Sequence, residues 1–154
     1  MTTLTYILTT LAIAGTGLIA GTFFVFSIAI MRAFDELGDE NAAAAMRSVN
    51  RVIQSPIFRG VFMSTALVSI VVAVMSALNW HSPASYYILA GSVLYVIGSF
   101  LVTVVFNVPL NNALESGAVS WPNYYRRWTL WNHLRAAASL ASTCAFALSF
   151  AAAR

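Results

Sequence analysis

The chain has 154 residues, of which 60% are hydrophobic and only 8% are charged, and its mean hydropathy is +0.79. A soluble domain carries about 25% charged residues, so this composition excludes a soluble globular protein. The net charge of +3 comes from eight arginines, with no lysine, against five acids. Because the arginines flank apolar runs, they indicate membrane topology and lipid headgroup contact, and we expect no nucleic-acid partner.

Charge-free stretches predict the membrane spans. Charged residues are absent from 1–31, 60–114 and 136–153, and the long middle stretch has room for two spans with a turn at Asn79–Pro83. The first stretch lacks a basic segment and a cleavage site, so we expect a retained span rather than a signal peptide. We predict an all-α fold, a four-transmembrane-helix bundle forming a single membrane domain over 1–154, with spans of approximately 4–32, 57–78, 84–107 and 131–152.

The arginines also predict an orientation. Four of them bracket the first connection and three lie near the third, whereas the second connection has none and Arg154 alone lies at the C-terminus. The positive-inside rule then places both termini on the non-cytoplasmic side, which we expect to be that of a bacterial inner membrane. Within the first connection, a cap at Asp39 and an alanine-rich apolar stripe predict a short amphipathic cytoplasmic helix that ends near Ser55.

Packing residues are visible within the spans. Gly17 and Gly21 are four apart on the first span, and Gly91 and Gly98 are seven apart on the third, so we expect both pairs to face neighbouring helices. The single cysteine, Cys144, cannot form an intrachain disulfide and is expected to be a small core residue.

Polar side chains are expensive near the bilayer, and in this sequence they gather at the predicted cytoplasmic ends. After the third span, Pro109 predicts a kink or restart of the helix with Asn107 as its cap, whereas capping does not explain Asn111. In the segment entering the fourth span, spacings of three and four place five residues on one helical stripe: Trp121, Tyr124 or Tyr125, Trp128, Asn132 and Arg135. An interfacial aromatic belt is the alternative interpretation of the tryptophans and tyrosines.

Chemistry in this region would depend on a base and an anion-binding group. His133 could accept a proton, donate to an oxyanion or be a satisfied interfacial residue, and Arg135 suits either an anionic phenolate or a phospholipid phosphate. Asn50 and Gln54 on the amphipathic helix are expected at the same membrane face. The two histidines, His81 and His133, belong to opposite faces, so we predict no metal site and no cofactor, although haem and a metal stay open.

Four ordered motifs together resemble the anthrone oxygenase-like family of small four-helix membrane proteins, long catalogued as a domain of unknown function. They are Gly17–Ser27 in the first span, Asn50 with Pro56 and Phe58, Asn107–Asn111, and Trp121–Arg135. Some relatives oxidise anthrones to anthraquinones with dioxygen, and the resemblance implies this reaction, without a metal or flavin. For such a reaction, His133 would remove a proton, Asn107, Asn111, Asn132 and Arg135 would hold the resulting anion, and a flat aromatic slot would be formed by Trp128, Tyr124, Phe23, Phe24 and Phe26, since these residues cluster at one membrane depth. Asn50 and Trp121 are expected to bind the substrate as well.

Two functions are therefore expected. The first is a membrane-embedded oxygenase, cofactor-independent, that oxidises a lipophilic electron-rich aromatic such as an anthrone or a quinol. The alternative is a non-enzymatic membrane protein that binds lipid, a small hydrophobic ligand or a partner protein. The expected partners are the lipid bilayer and a lipophilic small molecule, and a homo-oligomer stays open. A transporter is weakly supported, because the spans contain no acid to couple ion movement.

Overall fold

The computed structural model describes residues 1–80 and 82–153, so His81 and Arg154, which entered the metal and topology arguments, lie outside the described residues. The described residues form five helices: α1 Thr3–Asp35, α2 Asp39–Ile53, α3 Pro56–Leu78, α4 Pro83–Glu115 and α5 Trp121–Ala152. Each of them except α2 is long and apolar enough to cross a membrane. This confirms the predicted all-α bundle with four spans.

The bundle has two distinct ends. The basic end carries α2 and the loop between α4 and α5. The terminus end holds the N-terminus beside the connection between α3 and α4, where Thr5, Asn79 and Ser85 line one small cavity. Tyr6 stacks on Phe150 there, with ring centroids 4.7 Å apart, which brings the start of α1 beside the end of α5.

The fourth helix shows how Pro109 is accommodated. α4 contains π-helical stretches at Val96–Leu101 and Thr103–Asn107, after which it continues as an α-helix to Glu115. A π-helical turn shifts the backbone hydrogen bonds by one residue, so the helix passes the proline without ending. The predicted capping role of Asn107 is wrong, because its side chain makes no cap hydrogen bond and its Nδ2 donates to the carbonyl of Trp128 at 3.3 Å.

The amphipathic helix predicted between the first two spans is present as α2. Its cap is Gly38, with a φ of 78°, rather than Asp39, which lies in the first turn where a carboxylate favours the helix dipole. Its apolar face packs against α1, α4 and α5 at the basic end through Ala42, Ala43 and Met46. The helix therefore closes this end of the bundle.

Small residues set the helix spacing. A Cβ added to Gly98 would lie 2.6 Å from the Cβ of Ala138, and one added to Gly91 would lie 3.0 Å from the ring of Phe146, as expected for glycines that face another helix. The expectation fails for Gly21, which faces open space. It fails also for Cys144, which is exposed on the outside of α5 instead of buried.

Candidate active site at the basic end

A cavity of about 510 Å³ lies at the basic end, between the helices and above α2. This volume is within the range of small-molecule sites, roughly 300 to 1,000 Å³. All five helices contribute to its wall, which is mainly apolar and aromatic: Phe23 and Phe26 from α1, Met46, Val49 and Ile53 from α2, Phe58 and Phe62 from α3, Phe100 and Val104 from α4, and Trp128 from α5. A few polar groups interrupt this wall, and their placement decides what the cavity can bind.

The most unusual group in the cavity is the guanidinium of Arg135, whose residue is only 4% exposed. Arg135 lies two helical turns beyond the exposed Arg127 on α5, about 12 Å further along the helix axis. The side chain is held by a hydrogen bond to Thr103 Oγ1 at 3.1 Å and by another to Asn132 Oδ1 at 2.6 Å. It also lies over the ring of Phe23, with 4.0 Å from Cζ to the centroid.

Arg135 has no acidic partner. Among residues 1–80 and 82–153, which include every Asp and Glu of the chain, the one salt bridge within 4.0 Å joins Arg51 to Glu115 on the surface. The Nε atom of Arg135 is buried without a hydrogen-bond partner in the described structure. A buried charge is normally paired or fully hydrogen-bonded, so Arg135 retains the capacity to donate to one more acceptor.

Asn132 positions the arginine. It is fully buried, and its Nδ2 donates to the Phe23 carbonyl and to Ser27 Oγ, both at 2.8 Å. Ser27 belongs to the π-helical turn Phe26–Ile30 of α1 and Phe23 lies three residues before that turn, where the regular α-helical bonding pattern is interrupted and a backbone carbonyl can accept from a side chain. With both amide hydrogens directed to α1, the amide oxygen is left to accept from Arg135.

A second donor group faces the cavity from α2. Asn50 is buried and lines the cavity, and its Nδ2 has no hydrogen-bond partner by geometry, although the side chain adjoins the hydroxyl of Tyr124. That hydroxyl donates its hydrogen to Asn111 Oδ1 at 2.8 Å, and its oxygen lies beside the Asn50 amide as an acceptor. Asn50 Nδ2 can therefore donate either to Tyr124 or to a ligand oxygen in the cavity.

The predicted site residues divide into three groups. Phe23, Phe26, Asn50, Asn111, Trp128 and Arg135 line the cavity. Another four, Asn107, Trp121, Tyr124 and Asn132, are buried in the layer behind it. In that layer, Trp121 donates from Nε1 to Asp35 Oδ1 at 2.8 Å and ties the start of α5 to the end of α1.

The third group, Phe24 and His133, does not reach the cavity. Both are exposed on the outside of the bundle. On an α-helix, residues three apart share a face and adjacent residues are rotated by about 100°. Because Asn132 and Arg135 face inward, His133 between them faces outward, and Phe24 is turned away in the same manner from Phe23. A base at His133 would therefore face away from a ligand held by Arg135.

Sequence reasoning missed three residues that shape the cavity, Phe62, Phe100 and Thr103. Phe62 stacks on Phe58 and on Phe100, with centroid distances of 6.2 and 5.3 Å. Phe58 and Phe62 are four apart on α3, which could have indicated a shared face. Nothing in the sequence around Thr103 indicated its role, because that role depends on a contact with Arg135 of another helix.

The cavity at the terminus end differs in chemistry. It measures about 230 Å³, and none of the described residues that line it is aromatic or has a charged side chain. The basic end is therefore the better candidate for a site that acts on a ligand.

A family model described as anthrone oxygenase matches residues 57–145, which is more than half of the chain. The chain belongs to the anthrone oxygenase family. No curated protein and no solved structure matches it. Within this anthrone oxygenase family member, the matched region contains Arg135 together with its two hydrogen-bond partners, Thr103 and Asn132, whereas α1 and α2, which complete the cavity, lie outside the match.

Proposed function

We propose that this protein is a membrane-embedded oxygenase, independent of a cofactor, that oxidises a lipophilic, electron-rich aromatic such as an anthrone with dioxygen. The observation that carries the proposal is the buried, acid-free Arg135 at the wall of an aromatic cavity. Membership of the anthrone oxygenase family supports the reaction class. The substrate is proposed from the chemistry of the cavity.

The cavity favours an ionised, flat ligand. A phenolate or enolate oxygen would accept hydrogen bonds from the Arg135 guanidinium and from Asn50 Nδ2, both of which have a donor without a partner. Such an anion would offset the cost of burying the arginine, and preorganised donors in an apolar site are worth more than in water. The rings of Phe23, Phe26 and Trp128 offer apolar faces to the body of the ligand.

The oxidation needs no further reductant. Loss of a proton from the methylene carbon of an anthrone gives an enolate, which is electron-rich enough to combine with dioxygen at that carbon. The hydroperoxide then loses water, so that one oxygen atom becomes the second carbonyl of the anthraquinone. The other leaves in water with the two methylene hydrogens, and dioxygen has accepted four electrons.

The role of the protein is then to stabilise the enolate rather than to supply the base. None of the described residues that line the cavity is an Asp, Glu or His. Donors that bind the enolate more strongly than the neutral anthrone favour ionisation of the bound substrate. The proton leaves to water at the cytoplasmic mouth of the cavity, near the exposed Gln54 and Asn112.

The test is oxygen uptake by the purified protein supplied with an anthrone, together with the absorbance of the anthraquinone formed. We expect Arg135→Met to lower the rate about 100-fold, the usual scale for loss of one anion-stabilising donor. The control is Arg127→Met, which removes an exposed arginine from the same helix outside the cavity lining. Equal rates for wild type and Arg135→Met would reject the proposed role of the arginine.

A non-enzymatic ligand-binding protein is the second candidate. The absence of an acid–base side chain from the described lining favours it, because an aromatic cavity lined by two cations, the buried Arg135 and the exposed Arg59, can bind an anionic aromatic without transforming it. Binding without turnover separates the two functions. Anthraquinone that quenches tryptophan fluorescence in a protein with no anthrone-dependent oxygen uptake would support the binding protein.

We propose an orientation with the basic end in the cytoplasm of a bacterial cell and both termini outside. Arg32, Arg47, Arg51, Arg126 and Arg127 all belong to the basic end, in agreement with the positive-inside rule. A cysteine introduced in the loop of residues 116–120 should be protected from an impermeant thiol reagent in intact cells, in a Cys144→Ser background. Labelling of that loop in intact cells would show that the protein has the opposite orientation.

A further inference from the structure

We propose that the substrate enters the cavity sideways from the bilayer, as an uncharged molecule, through a portal between α3 and α4. The portal is defined by Arg59 and Met63 on α3 and by Val104 and Val108 on α4. This inference rests on the proposed function for its ligand class. It concerns the route to the site and hence the substrates that can reach it.

The residues of the portal are exposed on the outside of the bundle and also line the cavity. Met63 is 56% exposed, Val104 48% and Val108 41%, and all three also line the cavity. A side chain that is exposed on the outside of a membrane helix and also lines an internal cavity lies at an opening of that cavity. Because Met63 lies seven residues into α3, it is about 10 Å along the axis from the start of the helix, within the apolar span. The opening therefore faces lipid as well as the cytoplasmic interface.

The packing of α3 against α4 explains the gap. Towards the terminus end, small buried side chains such as Ser69 and Ser76 on α3 and Ser85 and Ser92 on α4 allow the helices to pack closely. Towards the basic end, Phe62 stacks on Phe100 between the helices at 5.3 Å. Beyond that pair the two helices pack less closely, since most of the packing of α3 on α4 is with Pro83–Leu101.

The portal and the buried arginine together define a substrate class. The gap is apolar at Met63, Val104 and Val108, and its one charged residue, Arg59, lies a helical turn nearer the start of α3, so a ligand that enters from the hydrocarbon crosses the gap uncharged. Inside the cavity, an anion is favoured beside Arg135. A substrate must therefore dissolve in the membrane as a neutral molecule and carry a weakly acidic C–H or O–H that ionises after entry.

The test follows the binding kinetics of neutral 9,10-anthraquinone, measured by stopped-flow quenching of tryptophan fluorescence in protein reconstituted in phosphatidylcholine nanodiscs. Trp128 lines the cavity, so Trp128→Phe should lose most of the signal. We expect Val104→Phe to slow association and dissociation together, by roughly tenfold, with little change in affinity. A substitution that only filled the cavity would weaken the affinity instead.

Two matched variants complete the experiment. Val105→Phe adds the same ring at the neighbouring exposed position, outside the cavity lining, and should behave as wild type. Asn112→Phe narrows the aqueous mouth and should leave the entry rate unchanged. Slower entry in Asn112→Phe with normal entry in Val104→Phe would overturn the portal.

A charged probe provides an independent test of entry from the bilayer. Anthraquinone-2-sulfonate, which is permanently anionic, should quench at least tenfold more slowly than the neutral probe, and equal rates would reject entry from the bilayer. Different results would reject the portal and the oxygenase function. If the protein shows the portal kinetics but no oxygen uptake, the proposed oxidation is rejected and the entry route is supported. If the protein turns over anthrone but binding kinetics are unchanged in Val104→Phe, only the entry route is rejected.

Discussion

The guanidinium of Arg135 donates to the amide oxygen of Asn132 at 2.6 Å, so the nearest acceptor of this buried cation is neutral. An aspartate at the same position would be isosteric and would neutralise the arginine. The choice of an amide keeps the charge of Arg135 free for a ligand. The two residues are one helical turn apart on α5, so a change at position 132 acts directly on the charge of Arg135.

Asn132→Asp should fold and lose activity. The carboxylate would pair with Arg135 and compete with an anionic substrate, so we expect anthrone-dependent oxygen uptake to fall at least tenfold. The variant also loses the two amide donations to α1, each worth about 1 kcal/mol, and the new ion pair offsets part of this loss. Thermal unfolding in detergent checks the fold, and Asn123→Asp, on an exposed position of the same helix, is the control. Full activity in Asn132→Asp would contradict the need for an unpaired cation.

His133→Ala should retain the wild-type turnover rate within about twofold. The sequence alone predicts His133 as the base, whereas the structure directs it to the outside of α5. The measurement is oxygen uptake for His133→Ala beside Arg135→Lys, which keeps a charge but loses the planar contacts of the guanidinium with Phe23 and Trp128. We expect the lysine variant to be the slower of the two, and the reverse order would restore the histidine as the base.

Asp35→Ala should destabilise the basic end. The carboxylate accepts a hydrogen bond from Trp121 Nε1 at 2.8 Å, and hydrogen bonds to charged groups contribute roughly 1.5–3 kcal/mol. We expect a lower free energy of unfolding in a mild denaturant titration, with Asp35→Asn between Asp35→Ala and wild type, because an amide oxygen still accepts. Glu36→Ala serves as the control at the adjacent exposed carboxylate. Equal stability of Asp35→Ala and Glu36→Ala would show that the hydrogen bond contributes nothing.

Gly98→Ala should destabilise the contact of α4 with α5, because its Cβ would meet the Cβ of Ala138 at 2.6 Å. The cost of such overpacking is about 1–3 kcal/mol. Ala138→Gly in the same chain should restore much of the loss, and this double-mutant cycle measures the contact itself. Gly21→Ala, where nothing lies within 4 Å, is the neutral comparison. Additive effects of the two substitutions would mean that the helices relax apart.

The amphipathic helix was predicted from its apolar stripe. Hydropathy was sufficient to predict the four spans, because the cost of a charge in hydrocarbon leaves long uncharged stretches. It was less informative at their ends. The helix α5 starts at Trp121, ten residues before the predicted fourth span, since its polar first turns lie outside the apolar stretch and hydropathy cannot detect them. The proline at 109 predicted a break, which the π-helical turns of α4 avoid.

The candidate site was predictable only along single helices. Spacing correctly grouped Trp128, Asn132 and Arg135 on one face of α5, but clustering at one membrane depth placed Phe24 and His133 in the site without regard to their helix faces. Contacts between distant segments, such as Arg135 with Thr103 or Asn132 with the Phe23 carbonyl, depend on how the helices pack. Contacts of this kind between helices produce no periodic pattern in a single sequence.

The π-helical stretches of α4 have a consequence for how this site tolerates insertions and deletions. A wider turn holds one residue more than an α-helical turn, so it sets the rotational phase between the two halves of the helix. Removing one residue between Val96 and Asn107 would close a wide turn to an α-helical one and leave the rest of α4 near its present rotational phase. Removing one residue from the regular stretch that starts at Val108 would instead turn Asn111 by about 100°, out of the cavity wall, while α4 stayed helical, and the site would be lost without unfolding the protein.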